Sequence, residues 1–462
     1  MAERVVVDQI DFRSALVFPR VLNSATGAFQ PSRLLAATFI VLALAVFGRF
    51  YDALRGPMIQ SAGLLSPTRS SIDSAVASDV ARRAALENLP PDQRPAGMDT
   101  RGGVDIENVC SLLQSRLGSV SGFEADGIRR ALERLESYRR KGTFDSFSIA
   151  VGRCIDGLAI GVLTVSPVMA VGAFANLFID LPLACWRDDR WFCFIFGAAF
   201  LIAMGAGGAA LCRMTAIDLA GKAKLSAADA FAFVKPRWIN HALVPVWPLL
   251  TLVVLLPVAA MLGWLSRIPL IDIFAGLAYG LVIVLAFFAS IALIPWGFCM
   301  PFAVAASACE GCDGLEAAQR TVAYVLRRPL QGLLYLIMAA IGISLVIFIA
   351  DLFAMATLSF AANFVGMTAG EGPMSGLATI RLLLPDDVAP VRSLGFTASI
   401  SAGFVGLWIT VVKSLAAGAC FGAFWSVATA AYLALRKSCD DQPFDDLWVP
   451  GTPAGSRQDQ AA

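Results

Sequence analysis

Apolar residues along this chain gather in long runs bounded by charge or proline. A helix needs about 20 apolar residues to cross about 30 Å of hydrocarbon. Six runs reach that length: 34 to 54, 191 to 213, 243 to 265, 273 to 300, 332 to 356, and a stretch within 396 to 436. The last holds 41 residues, about twice what one span needs, and Lys413 interrupts it. A span over Ala416 to Leu435 places Lys413 at the far interface, where its stem snorkels, and makes the preceding residues a surface helix.

A further run, 157 to 181, is long enough but contains Pro167, Asn176 and Asp180. It reads as interfacial or re-entrant, with a seventh span as the alternative. Basic residues supply the argument. Lys222, Lys224, Lys235 and Arg237 mark the 214 to 241 connection as cytoplasmic, Arg320, Arg327 and Arg328 mark 301 to 331, and Arg436 with Lys437 marks the C-terminal end. The 266 to 272 turn holds only Arg267, and 358 to 395 only Arg381 and Arg392. Six spans put Arg4, Arg13, Arg20 and Arg33 on the cytoplasmic side too; seven would export them and bring the 55 to 155 loop inside. The first run starts at Leu34 behind a polar and amphipathic stretch, so the expectation is a first span that acts as its own insertion signal and is not cleaved.

Amphipathic stretches repeat between the spans. Phe12 to Arg33, Leu225 to Trp238 and Asp313 to Leu330 each carry an amphipathic segment, then a basic residue beside proline, then a span. Ser226 with Asp229, and Asp313 with Glu316, have the spacing of an N-cap and its N3 partner, and Glu316 with Arg320 adds an i, i+4 pair. Pro31 to Pro236 is 205 residues and Pro236 to Pro329 is 93, so the first unit carries an excess of 112. The fold class expected is all-α: a polytopic transmembrane bundle of about six spans, arranged as three units of cytoplasmic surface helix plus hairpin, with a polar, partly helical insertion in the first hairpin.

The divisions that follow are a cytoplasmic segment 1–33, a first span 34–54, an insertion 55–190 that includes 157–181, a helical core 191–436 and a disordered cytoplasmic tail 437–462. Within the insertion, Ile128, Leu132 and Leu135 fall at i, i+4, i+7 on an otherwise charged helix. Packing onto the chain's own membrane domain and binding a partner are both open to that stripe.

Composition agrees with the pattern and narrows the function. AVILMFWYC make up 57% of 462 residues and DEKR 15%, against about 25% charged in a soluble domain, with mean hydropathy +0.70. Thirty-six basic residues balance 35 acidic ones, which removes any field suited to nucleic acid. Ten cysteines are scattered, in the manner of small hydrophobes. Cys309-Glu-Gly-Cys312 has CxxC spacing, yet no second pair accompanies it and no further ligands complete a zinc set. His241 is the single histidine, so a Ser/His or Cys/His nucleophile would depend on it; beside Trp238 it reads as an interfacial residue. Catalytic and metal residues are expected to be absent, as are cofactors.

Charges near mid-bilayer are scarce, which weighs against a pump. Gly276 with Gly280 and Gly418 with Gly422 have the spacing that lets helices approach closely, within the chain or in a homodimer. Arg320, Tyr324, Arg328 and Pro329 combine charge with an amphipathic ring at headgroup depth and are the candidate lipid or partner contact.

EGCDGLEAAQRTVAYVLRRPLQGLLY (Glu310 to Tyr335), FWSVATAAYLALRK (Phe424 to Lys437) and the FPR of Phe18 to Arg20 followed by SRLL resemble motifs of an uncharacterised family of bacterial, planctomycete-type polytopic membrane proteins. That family is more distantly similar to the membrane domain associated with glycerophosphodiester phosphodiesterases. The resemblance implies a helical core in a bacterial cytoplasmic membrane with a cytoplasmic C-terminus, covers little of 55 to 155, and carries no catalytic residues. A non-catalytic membrane scaffold or lipid- or partner-interacting component is the reading that results. Its partners would be the bilayer and another membrane protein or a second copy, and the alternatives are a permease or export component and a membrane enzyme.

Overall fold

A computed structural model describes residues 18–56, 59–60, 74–95, 104, 106–117, 120, 123–136, 140–265, 267–268, 271–369 and 396–449. Residues 1–17, residues 370–395 with Arg381 and Arg392, and residues 450–462 lie outside the described residues. The chain is all-α. Its main helices are α1 (Phe18–Ser24), α2 (Pro31–Arg55), α3 (Ser74–Asn88), α4 (Ile106–Leu117), α5 (Phe123–Glu136), α6 (Thr143–Leu163), α7 (Pro167–Asp188), α8 (Arg190–Leu219), α9 (Ala227–Val234), α10 (Trp238–Leu243), α11 (Leu250–Leu265), α12 (Ile271–Glu310), α13 (Gly314–Arg327), α14 (Pro329–Ala369) and α15 (Phe396–Asp440). A two-residue antiparallel pair, Ile59–Gln60 with Arg140–Lys141, is the extended structure among the described residues.

Among the described residues six helices are long and apolar enough to cross a membrane: α2, α6, α7, α8, Pro329–Ala361 of α14 and Gly406–Asp440 of α15. The chain is a multi-pass integral membrane protein. The arms of α12, Gly276–Ile291 and Trp296–Glu310, add a seventh if they count as one span, bent by 43°. Pro295 lies at that bend and has no N–H to give the helix.

The number of candidate spans matches the hydropathy of the sequence, but the elements differ from the sequence reading in four places. The 157–181 run is not one helix. It straddles a turn at Thr164–Ser166, where Val165 takes φ 54° and Pro167 opens α7, so α6 and α7 form a hairpin with Gly161 against the Ala170 backbone. The 243–265 run contains Pro245 and Pro248, which hold Val244–Leu249 in a 3₁₀ turn and leave α11 with 16 residues, about 24 Å. The stretch before Ala416 is not a separate surface helix, because α15 runs unbroken from Phe396 through Lys413 to Asp440. Residues 437–449 are ordered: α15 ends at Asp440 and 441–449 fold back as a hydrogen-bonded strap.

The chain divides into two compact units. Unit 1 comprises 1–41, 198–346 and 418–462. Within it Arg33 bonds Asp218 at 2.8 Å while Ile40 meets Gly207, so α2 and α8 run antiparallel there. Small residues let the helices close up. A Cβ on Gly418 would stand 2.8 Å from the Thr38 backbone, one on Gly422 would meet Ala37 and Ala28, and one on Gly208 would strike the buried Trp425 ring. Gly276 and Gly280 differ: among the described residues nothing lies within 4 Å of a Cβ at either.

Unit 2 comprises 42–197 and 347–417. Tyr51, Phe144, Phe147, Phe192 and Phe196 form its aromatic centre, with Phe192 and Phe196 stacked at 4.8 Å. Asp52 accepts the backbone N–H groups of Phe144 and Asp145, which ties the start of α6 to the end of α2. The insertion builds its own core. Ala81, Ala84, Ala85, Val109, Leu113, Ile128, Leu132 and Leu135 pack α3, α4 and α5 together, so the Ile128–Leu132–Leu135 stripe is spent inside a three-helix cluster.

Candidate functional site

Local sequence chemistry places the surface helices of unit 1. Ser226 caps α9 by accepting the Asp229 N–H at 3.2 Å. Asp313 precedes α13 in extended backbone but makes no cap bond; its carboxylate accepts from the Asn240 amide at 2.9 Å instead. Glu316 turns to Arg320 one helical turn on, at 2.6 Å. Pro329 opens α14 directly after α13.

Glu310, the last residue of α12, is the hub of the site. Its carboxylate takes Arg320 from α13 and the Tyr432 hydroxyl from α15, with Arg436 at 3.8 Å. Arg436 is 2% exposed and its guanidinium holds the carbonyls of Pro443 and Asp446, both at 2.9 Å. Tyr324 donates to Asp440 at 2.6 Å, and Arg327 reaches the same carboxylate at 3.1 Å. Burial raises the Tyr324 phenol above its usual range, and the charge of Asp440 adds to it. These bonds fasten α12, α13, α15 and the strap into one polar clasp.

The CxxC motif belongs to this clasp as a helix ending. Gly311 takes φ 66°, the left-handed turn that stops α12, and a Cβ there would stand 2.3 Å from the Trp448 ring. Three carbonyls at that end are capped from outside the helix: Ala308 by Arg213 at 3.3 Å, Cys309 by the Trp448 N–H at 2.8 Å, and Gly311 by Arg237 at 2.6 Å. Arg213 also bonds the Trp448 carbonyl at 2.8 Å and lies 4.5 Å above the Phe233 ring, while Arg237 lies 4.6 Å above the Trp448 ring. Cys309 and Cys312 are buried free thiols, and burial, reinforced by Glu310, pushes the Cys312 thiol up to about 12.

His241 is separate from those thiols and pairs with Ser307, Nδ1 to Oγ 3.0 Å. The serine hydroxyl donates to the Val304 carbonyl, and the two side chains are 3% and 1% exposed. Burial, and then the nearby charge of Arg237, lowers the imidazole to about 4, so it is neutral at pH 7. The pair joins α10 to α12. Among the described residues no three His, Cys, Asp or Glu side chains are grouped to hold a metal.

Of the four residues expected at a lipid or partner contact, Arg320 and Tyr324 turn inward to Glu310, Glu316 and Asp440, whereas Arg328 and Pro329 are exposed. Leu326 and Leu330 flank them at 73% and 81% exposure. Glu310, Tyr432, Arg213 and Trp448 were not singled out from sequence. The sequence holds a signal for Arg213, an arginine beside a long apolar run, and for Trp448, a tryptophan in a polar tail, but none for Glu310 or Tyr432. No protein-family model, curated protein or solved structure matches the chain.

Proposed function

We propose that the protein is a non-catalytic component of the bacterial cytoplasmic membrane, with both termini cytoplasmic, that acts as a scaffold engaging lipid headgroups or a membrane partner. The outer face of α13 carries this reading. Val322 and Leu326 stand exposed on it, with Arg328 and Leu330 exposed just beyond its end, while Tyr324, Arg320 and Arg327 anchor the face turned to the clasp. A helix with apolar side chains and an arginine at its free surface suits the headgroup layer, where an arginine contributes about 1 kcal/mol toward anionic lipid. The polar groups of the clasp are spent on one another, which favours a structural role over chemistry.

Purification into lipid nanodiscs, followed by mass spectrometry of what stays bound, tests this. Enrichment of an acidic phospholipid or a membrane protein over bulk, reduced in Arg328→Gln, supports it. A bound small solute that exchanges with the medium, or no enrichment at all, overturns it.

A further inference from the structure

In unit 2, Asp189 heads α8 with its side chain 2% exposed, and four donors meet it: the Tyr51 hydroxyl at 2.8 Å, the Phe192 N–H at 3.1 Å, the Thr143 hydroxyl at 3.2 Å and Arg55 at 3.4 Å. Burial by itself would raise that carboxyl, yet Tyr51, Phe192 and Arg55 hold it below the usual carboxylate range. Arg55 makes the longest of the four bonds to the acid, and its side chain is 41% exposed. A guanidinium carries more N–H donors than the bonds of Arg55 to Asp189 and Tyr51 take up.

Arg55 closes one end of a groove of about 360 Å³ lined by Phe47, Phe50, Tyr51 and Leu54 of α2 and by Trp191 and Ile195 of α8. That volume lies within the range of about 300–1,000 Å³ typical of ligand-holding clefts. Tyr51 spends its hydroxyl on Asp189, so the groove's surface is hydrocarbon and aromatic ring up to the single cation. Both walls belong to helices of spanning length, and the groove lies where those helices end in polar residues, at Arg55 and Asp189. Trp191 stands 64% exposed at the same level, as an amphipathic ring does at a headgroup boundary.

We infer that this groove binds one glycerophospholipid, with an acyl chain along Phe47, Phe50, Leu54 and Ile195 and the phosphodiester on Arg55. The charge complementarity selects a phosphodiester; an apolar chain or a neutral diacylglycerol would leave Arg55 unused. The inference deepens the lipid-engaging reading of the protein and rests on it, but it concerns a different surface from α13.

The test uses the full chain in detergent, titrated with dioleoylphosphatidylglycerol or dioleoylglycerol and read by native mass spectrometry, together with a phospholipid carrying a photoreactive acyl chain. The expected result is one retained phospholipid per chain, no retained diacylglycerol, crosslinks confined to 47–55 and 191–195, and about tenfold weaker retention in Arg55→Gln. Ile195→Trp fills the groove and should abolish the crosslinks while thermal unfolding stays that of the parent. Crosslinks spread evenly over the exposed helices, retention unchanged in both variants, or a crosslinked second copy in place of lipid would each overturn the site. If nanodiscs show α13-dependent lipid enrichment while the groove fails, the broader reading survives; if the groove holds lipid without that enrichment, only the α13 reading falls.

Discussion

Glu310 draws Arg320 from 10 residues away and Tyr432 from 122 onto one nearly buried carboxylate. Removing its charge leaves Arg436 without its nearest anion, so Glu310→Gln should cost about 3 kcal/mol, read as a fall in thermal unfolding temperature at constant shape. Gly311 is constrained twice, by its left-handed backbone and by the Trp448 ring, and Gly311→Ala should cost about 2 kcal/mol or release the strap, seen as protease cleavage within 441–449. His241 sets a pH dependence. Its folded value, about 4, lies below the unfolded 6.5, so stability is complete above pH 6.5 and falls as the pH drops toward 4, by about 3 kcal/mol in all. Denaturant titrations at pH 7 and 4.5 should differ for the parent and much less for His241→Gln. At this scale the sequence showed what is local: the Ser226 cap and the Glu316–Arg320 pair follow from spacing alone. Glu310 was invisible, because its partners depend on how distant helices meet.

The α6–α7 hairpin is the element the sequence conveyed least directly. Pro167 marked an interruption, but nothing in a run that is apolar on both sides says whether the chain pauses or reverses. The reversal rests on Val165 at φ 54° and on turn hydrogen bonds such as Ser166 N–H to the Gly161 carbonyl at 2.8 Å, which give the N–H groups of Thr164, Val165 and Ser166 partners within the chain. Thr143 and Asp189 bond at the open end, so the hairpin adds two crossings or none and leaves the sidedness of α2 and α8 unchanged. Cysteines placed at Asp145 and Arg187, both exposed, should therefore react with an impermeant maleimide from the same side of the membrane; opposite sides would refute the hairpin. The prolines at 245 and 248 were equally legible as residues, yet hydropathy averaging hid their effect on α11.

As a whole the molecule combines membrane helices with a three-helix cluster that has its own apolar core. Leu113 is fully buried in that core, and Leu113→Ala should cost the cluster about 3 kcal/mol, seen as faster hydrogen exchange across 74–136 with α8 through α13 unaffected. The class was plain from composition, because 57% apolar residues with 15% charged cannot be buried in a water-soluble fold of this length. The proposed orientation rests on where lysine and arginine collect, and the functional account depends on it. The most direct test is impermeant maleimide labelling of intact cells, with the partly exposed Cys193, Cys420 and Cys439 replaced and single cysteines introduced at Arg129 in α5 and at Lys224 before α9. The account predicts labelling at 129 from outside and at 224 only after the membrane is opened; labelling of both from the same side would contradict it.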